Sequence, residues 1–404
     1  MNKTILLAFL IFSLFSCNKN ETEKTSIAFH LDNNRLIIPA EIKALDGTMK
    51  NAKLWVDTGN PFFFISEELA KEIGLNIPPD SMIPSNGKYQ IDPPELIQIG
   101  EFKLNFDSVP CYIVFRPKWL FTASHVDANI PSTVLMKYDL EIDYTNETLT
   151  IANPGKLKFS GKKATAFIHE ETGIPQIDGI FQNDTVSFAI DIGASYCFGS
   201  TEFFEKIRVY FPDNQFVVGA VGCANIWGWL SYENISTVIR VPNAKFGDLT
   251  LEDFGITIPP DFDENGTGMM DYYSQKTYKP VNGFLGPNAF KDYKIGFDYL
   301  HQVIYFDKKR ETPVYDLDLV PLTLKPEFDG SYTIIGTSKI NNSPLVDSIV
   351  LGSSLLQINN FYTNGKPMGE VIDALRGNPG EVKKIFVKKD NKTMQLLLTV
   401  KRVI

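Results

Sequence analysis

Two short apolar runs each end in an aspartate with a glycine two residues on: Leu54-Trp55-Val56-Asp57-Thr58-Gly59 and Phe188-Ala189-Ile190-Asp191-Ile192-Gly193. Two carboxylates brought face to face do a particular kind of chemistry. Like charges about 3 Å apart do not both ionise readily, so the pair holds one proton. One member can then take a proton from water while the other gives one up. Gly59 and Gly193 carry no Cβ and let backbone amides approach the carboxylates. Other chemistries find no residues here. His30, His125, His169 and His301 are scattered, with no i, i+4 pairing and no Cys/His cluster, so the sequence offers no metal site. It contains neither a Gly-x-Ser-x-Gly elbow nor a phosphate loop, and no cofactor is expected.

The elements that must position the two aspartates are duplicated as well. After Asp57 comes Phe62-Phe63-Phe64-Ile65-Ser66 and a helical pattern from Glu67 to Ile73; after Asp191 comes Tyr196 to Ser200 and a helical pattern from Thr201 to Ile207. Ser66 and Ser200 stand where helix N-caps belong. Farther on, Tyr138 to Tyr144 with the strand Thr148 to Ile151 recurs as Tyr293 to Tyr299 with the strand Gln302 to Phe306. Two landmarks repeated in one order point to an internal duplication.

On these residues the chain resembles the bilobal and retroviral-type aspartic peptidases, whose lobes each carry Asp-Thr/Ser-Gly and a later apolar-apolar-Gly segment. The resemblance spans Ile27 to Asp307 and implies a mostly β fold of two pseudo-symmetric lobes. It makes Asp57 and Asp191 catalytic, with Thr58, Gly59, Asn60 and Gly193 supporting their loops, and the substrate a peptide or protein. In that family the triplet hydroxyls tie the two loops together; Thr58 supplies one, whereas Ile192 has none. The apolar-apolar-Gly segment is Phe284-Leu285-Gly286 in the second lobe, while the first lobe reads Asn129-Ile130-Pro131. Three readings stay open: an active endopeptidase, a non-catalytic peptide-binding relative, or an envelope scaffold with neither activity. Thr58 and Asn60 can hydrogen-bond Asp57 whereas Ile192 and Ala194 offer Asp191 no side-chain donor, so Asp191 is expected to protonate more easily.

The 404 residues suffice for two or three domains with real cores. A net charge of −9 and the lack of a long Lys/Arg run argue against a nucleic-acid partner. Lys3, the apolar run Ile5 to Phe15 and Leu14-Phe15-Ser16-Cys17 resemble the export signal and lipobox of bacterial lipoproteins. That resemblance implies a signal peptide over 1–16, lipidation at Cys17, a polar tether over 17–25 and anchoring in the bacterial cell envelope through a lipid. Cys111, Cys197 and Cys223 then remain. They allow either one Cys197–Cys223 bridge or three buried thiols.

Short strands broken by Gly, Pro, Asn and Asp fill 26–155 and 156–310, the two expected lobes. Ile77 to Pro94, turning at Asn86-Gly87, is a flap candidate or an ordinary surface hairpin. Gly219 to Tyr232 holds the second lobe's flap, where Trp227 and Trp229 either grasp an apolar side chain or are simply core. Asp261 to Tyr273 reads as a solvated insertion. Residues 317–404 differ in texture: Gly352-Ser353-Ser354-Leu355-Leu356-Gln357-Ile358-Asn359-Asn360, a helix over Met368 to Leu375 and a hairpin around Asp390-Asn391 resemble a bacterial PDZ domain. That family binds C-terminal peptides by strand addition.

Overall fold

The computed structural model describes residues 22–115, 125–219, 234–259, 268–311, 317–346, 349 and 351–404. The chain is mostly β and repeats one strand arrangement twice. In the first lobe, neighbouring strands run Lys88–Ile91, Cys111–Val114, Phe63–Ser66, Ala128–Pro131, Met49–Asp57 and Arg35–Lys43. In the second they run Thr237–Phe246, Leu249–Ile258, Cys197–Gly199, Gly283–Leu285, Asp184–Ile190 and Pro175–Phe181. The directions agree pair by pair. Ala128–Pro131 lies parallel to Met49–Asp57, and Gly283–Leu285 parallel to Asp184–Ile190. Phe63–Ser66 and Cys197–Gly199 are each antiparallel to that inserted strand and parallel to the strand on their other side. Gly179 pairs with Phe246 and closes the second lobe on itself.

The duplicated landmarks meet in space. Asp139–Asp143 pairs antiparallel with Tyr293–Asp298, Leu140 facing Phe297 and Ile142 facing Ile295. Their hairpin partners Thr148–Ala152 and Val303–Lys308 flank them, followed outside by Lys24–Ala28 and Lys162–Ile168. This antiparallel sheet joins the lobes, and one continuous apolar core runs through both of them and it. Lys24 and Thr25, expected in the tether, are already strand here because they pair with Ala152 and Ile151.

Ser66 and Ser200 cap their helices, each Oγ accepting from the backbone N–H three residues on, Leu69 at 3.1 Å and Phe203 at 3.0 Å. The Pro-rich stretch turns at Asn86-Gly87, with Gly87 N–H donating to the Pro84 carbonyl at 2.8 Å. It then enters Lys88–Ile91, which pairs with Cys111–Val114. The expected insertion ends in a helix, Met269–Ser274, instead of solvated loop throughout.

Residues 317–404 build a second core. Helix Met368–Leu375 turns Met368, Val371, Ile372 and Leu375 inward at i, i+3, i+4 and i+7, all fully buried against the sheet. Asp390 and Asn391 take positive φ, 46° and 63°, in the tight turn joining Val382–Lys389 to Lys392–Thr399. The same core takes in Tyr196, Val217 and Val238 from the second lobe. The turn at Asn33-Asn34 makes a second attachment: Gly369 N–H donates to Asp32 Oδ1 at 2.7 Å, while Asn34 Nδ2 and Arg35 Nε reach Ser195 at 2.7 and 3.0 Å.

The signal peptide, Cys17, Cys223, the second flap with Trp227 and Trp229, and the insertion from Asp261 to Thr267 lie outside the described residues.

Candidate active site

Asp57 ends its strand and Asp191 follows its own, and each sits beside the inserted parallel strand. Asp57 stands opposite Pro131, and Asp191 N–H donates to the Leu285 carbonyl at 3.0 Å. Ile130 therefore faces Val56 as Leu285 faces Ile190. The Asn129-Ile130-Pro131 segment thus keeps the path of Phe284-Leu285-Gly286 although its residues differ. A Cβ on Gly286 would meet the Tyr196 backbone at 2.6 Å, which explains the glycine in the second lobe. Asn129 holds the first lobe's loop through its side chain, accepting from Phe64 N–H at 2.6 Å and donating to the Phe62 carbonyl at 3.0 Å.

The lobes bring the two carboxyls into hydrogen-bond contact with each other. Both are buried, 3% and 4% exposed. Asp57 Oδ1 accepts from Gly59 N–H at 3.0 Å, and the Asn60 amide also bonds Asp57. Asp191 Oδ1 accepts from Gly193 N–H at 2.9 Å and Ala194 N–H at 3.1 Å. Each glycine also makes room for the opposite carboxyl: a Cβ on Gly59 would lie 2.2 Å from Asp191 Cγ, and one on Gly193 2.4 Å from Asp57 Oδ1.

Thr58 ties the loops together as its hydroxyl allows. Its Oγ1 donates to the Ile190 carbonyl at 2.7 Å and accepts from Ile192 N–H at 3.0 Å. Ile192 makes no matching tie and is instead fully buried in the core. With its hydroxyl committed across the lobes, Thr58 is no side-chain donor to Asp57. The Asn60 side chain is likewise engaged elsewhere, with Phe62 N–H at 3.3 Å and the Phe62 carbonyl at 3.1 Å. Asn60 therefore supports Asp57 through its amide.

Burial and mutual charge act on both carboxyls. Burial pushes the Asp57 carboxyl well above the usual carboxylate range, and the Asp191 charge adds to the effect. Burial also raises Asp191, to about 6, but the Gly193 and Ala194 amides, the Asp57 carboxyl and Tyr273 all favour its charged form. Both carboxyls are thus raised together, with the donors gathered on Asp191. Tyr273 was not singled out in the sequence. It comes from helix Met269–Ser274, donates to Asp191 Oδ2 at 3.5 Å, and rests on Phe284 with ring centroids 4.9 Å apart. Only its place at the end of the run Met269-Met270-Asp271-Tyr272-Tyr273 could have drawn attention to it.

Aromatic and cationic groups extend from the pair. Phe62, five residues beyond Asp57, meets Phe64 and Tyr112 at 6.1 and 5.7 Å. Lys88 Nζ lies 4.7 Å from the Phe64 ring; Lys276 Nζ lies 4.9 Å from that of Phe62 and 4.6 Å from that of Tyr272. Burial lowers both lysines, and the charge of Lys276 lowers Lys88 further. Cys111 is a buried free thiol, pushed up to about 12 by burial. Cys197 is also buried, its Sγ 3.2 Å from Gly286 N.

No family model matches the chain, and no curated protein matches it. Among solved structures it is similar to an aspartic proteinase from Irpex lacteus, at 11% identity and a TM-score of 0.38. That likeness covers 71% of this chain and 97% of the other. The reading of the site rests on its own geometry.

Proposed function

We propose that the protein is an aspartic endopeptidase whose two lobes each contribute one carboxyl. The observation that carries this reading is the buried pair Asp57–Asp191, each carboxyl packed against the glycine of the opposite one of two duplicated loops. A water placed against the pair loses a proton to Asp191 as its oxygen attacks the peptide carbonyl carbon, and Asp57 protonates the carbonyl oxygen. The tetrahedral intermediate then breaks its C–N bond. Asp191 returns its proton to the amine nitrogen, and the reforming carbonyl returns one to Asp57. No covalent intermediate is required.

The leader ending in Leu14-Phe15-Ser16-Cys17 supports export and lipid anchoring at Cys17, which would place the enzyme in the bacterial cell envelope. The helix and hairpin of 317–404 support a PDZ-like module that holds a C-terminal peptide.

Cleavage of a peptide library by the purified protein tests the reading, with Asp57→Asn and a transition-state-analogue inhibitor as controls. Cleavage abolished by both supports it. Turnover that survives Asp57→Asn removes the mechanism, and peptide binding without any cleavage by the wild type favours a non-catalytic binder.

A further inference from the structure

Four residues beyond each paired aspartate a backbone carbonyl is gripped by a side chain, but the grip comes from different places. In the first loop the Pro61 carbonyl accepts from Thr133 Oγ1 at 2.7 Å, within one lobe. The counterpart of Thr133 is Asn288, which lies as far past Leu285 as Thr133 lies past Ile130. Its side chain turns elsewhere, accepting from Cys197 N–H at 2.7 Å and donating to the Gly255 carbonyl at 2.9 Å. The Ser195 carbonyl, counterpart of that of Pro61, is held from across the seam by Asn34 Nδ2 of the first lobe at 2.7 Å. Beside it Arg35 Nε donates to the Ser195 hydroxyl at 3.0 Å.

Arg35 links the two loops through one side chain. Its guanidinium stands over the Trp55 ring, 5.7 Å from the centroid, and Trp55 lies on the strand that ends in Asp57. Arg35 and Ser195 are both buried, so their hydrogen bond is made away from competing water. Ser195 directly follows Ala194, whose N–H bonds Asp191 Oδ1. Moving Ser195 therefore moves a donor to the carboxyl.

The turn that carries Asn34 and Arg35 is itself braced by the C-terminal unit. Asp32 Oδ1 accepts from Gly369 N–H at 2.7 Å, and a Cβ on Gly369 would stand 2.4 Å from the Asn33 nitrogen. The start of helix Met368–Leu375 is thus pressed onto the turn. Tyr196, next after Ser195, is buried in the C-terminal core.

We propose that Asn34 and Arg35 are positioning residues for Asp191. Reaching across the seam, they hold Ser195 and so aim the Gly193 and Ala194 amides, a tie to the second loop that Ile192 cannot make. By holding their turn, the C-terminal unit becomes a structural part of the carboxyl site. The meaning for catalysis rests on the peptidase reading, but the state of Asp191 can be measured without turnover.

The test uses the full chain with aspartate isotopically labelled at its side-chain carboxyl carbon. Nuclear magnetic resonance follows the Asp191 titration, assigned by its loss in Asp191→Asn. Asn34→Gly suits the positive φ of 68° and removes the donor to the Ser195 carbonyl, while Ser195→Ala removes the hydroxyl that Arg35 holds. Gly369→Ala pushes on the turn from the C-terminal unit, and Asp32→Ala releases it without adding an atom. Asp57, Tyr273 and Tyr144, the other titratable groups that interact with Asp191, stay unchanged in all four. Because the two amides favour the charged carboxylate, each variant is expected to move the Asp191 midpoint upward by about one pH unit, a tenfold change in proton affinity. Turnover should fall in kcat by about tenfold with KM little changed, since the loss falls on the chemical step.

An unmoved midpoint in Asn34→Gly and Ser195→Ala overturns the proposal, and a lowered melting temperature with no such movement gives the turn a purely structural role. Movement in those two but in neither Gly369→Ala nor Asp32→Ala overturns the part given to the C-terminal unit. A moved midpoint in a protein that cleaves no peptide keeps the positioning and removes the peptidase reading. Cleavage with an unmoved midpoint and unchanged kcat does the opposite.

Discussion

Gly59 fits against Asp191 so closely that a Cβ there would stand 2.2 Å from the carboxyl carbon. Gly193 repeats the contact with Asp57. Neither glycine has positive φ, so space is the reason for it and backbone conformation is not. Gly59→Ala and Gly193→Ala are each expected to force the carboxyls apart and lower kcat by about 100-fold or more, the scale of a 1 Å misplacement. Steady-state kinetics on the folded variants checks this.

The charge assignment fixes a pH profile. In the proposed mechanism the working state has Asp191 ionised and Asp57 protonated. Activity should therefore rise as pH increases through about 6, where Asp191 loses its proton, and fall at higher pH as Asp57 loses its own. Stability follows with a definite sign. Both carboxyls are raised, so from the unfolded value near 3.8 upward the folded chain binds more protons than the unfolded one. Stability should decline with rising pH by about 1.4 kcal/mol per pH unit for each excess proton. In Asp57→Asn, thermal melts from pH 4 to 8 should show a flatter decline and a higher melting temperature at neutrality.

Thr58 can be tested by shape. Thr58→Val keeps the volume and leaves the Ile190 carbonyl and the Ile192 N–H buried without their partner. A loss of about 1–3 kcal/mol in stability is expected for a buried group left unpaired, read by chemical denaturation. Turnover should fall as well, because this is the hydroxyl tie between the catalytic loops.

Tyr273 should tune the acid side of the profile. Its hydroxyl favours the charged form of Asp191, so Tyr273→Phe raises that carboxyl and moves the acidic limb to higher pH. The ring stays on Phe284, so the melting temperature should change little. An unmoved acidic limb would show that the hydroxyl has no part in the charge balance.

The aspartates, the caps at Ser66 and Ser200 and the helix over Met368 to Leu375 were legible because each is written in a handful of neighbouring residues. The surroundings of each carboxyl were not. Gly193 and Ala194 hold Asp191 through backbone amides, which any residue supplies, and Tyr273 arrives from a distant segment. The same limit applies to the C-terminal unit: its elements could be read, but the recruitment of Tyr196, Val217 and Val238 into its core could not.

The sheet between the lobes also governs how the chain assembles. Its central pairing joins Leu140 to Phe297, so the ends of a very long loop must meet before it can form. During synthesis the first lobe emerges with Asp139–Asp143 lacking its partner strand, an open edge that invites pairing with another chain. The carboxyls cannot meet until that pairing closes. The paired-carboxyl site is thereby completed only when the molecule's own folding is almost finished.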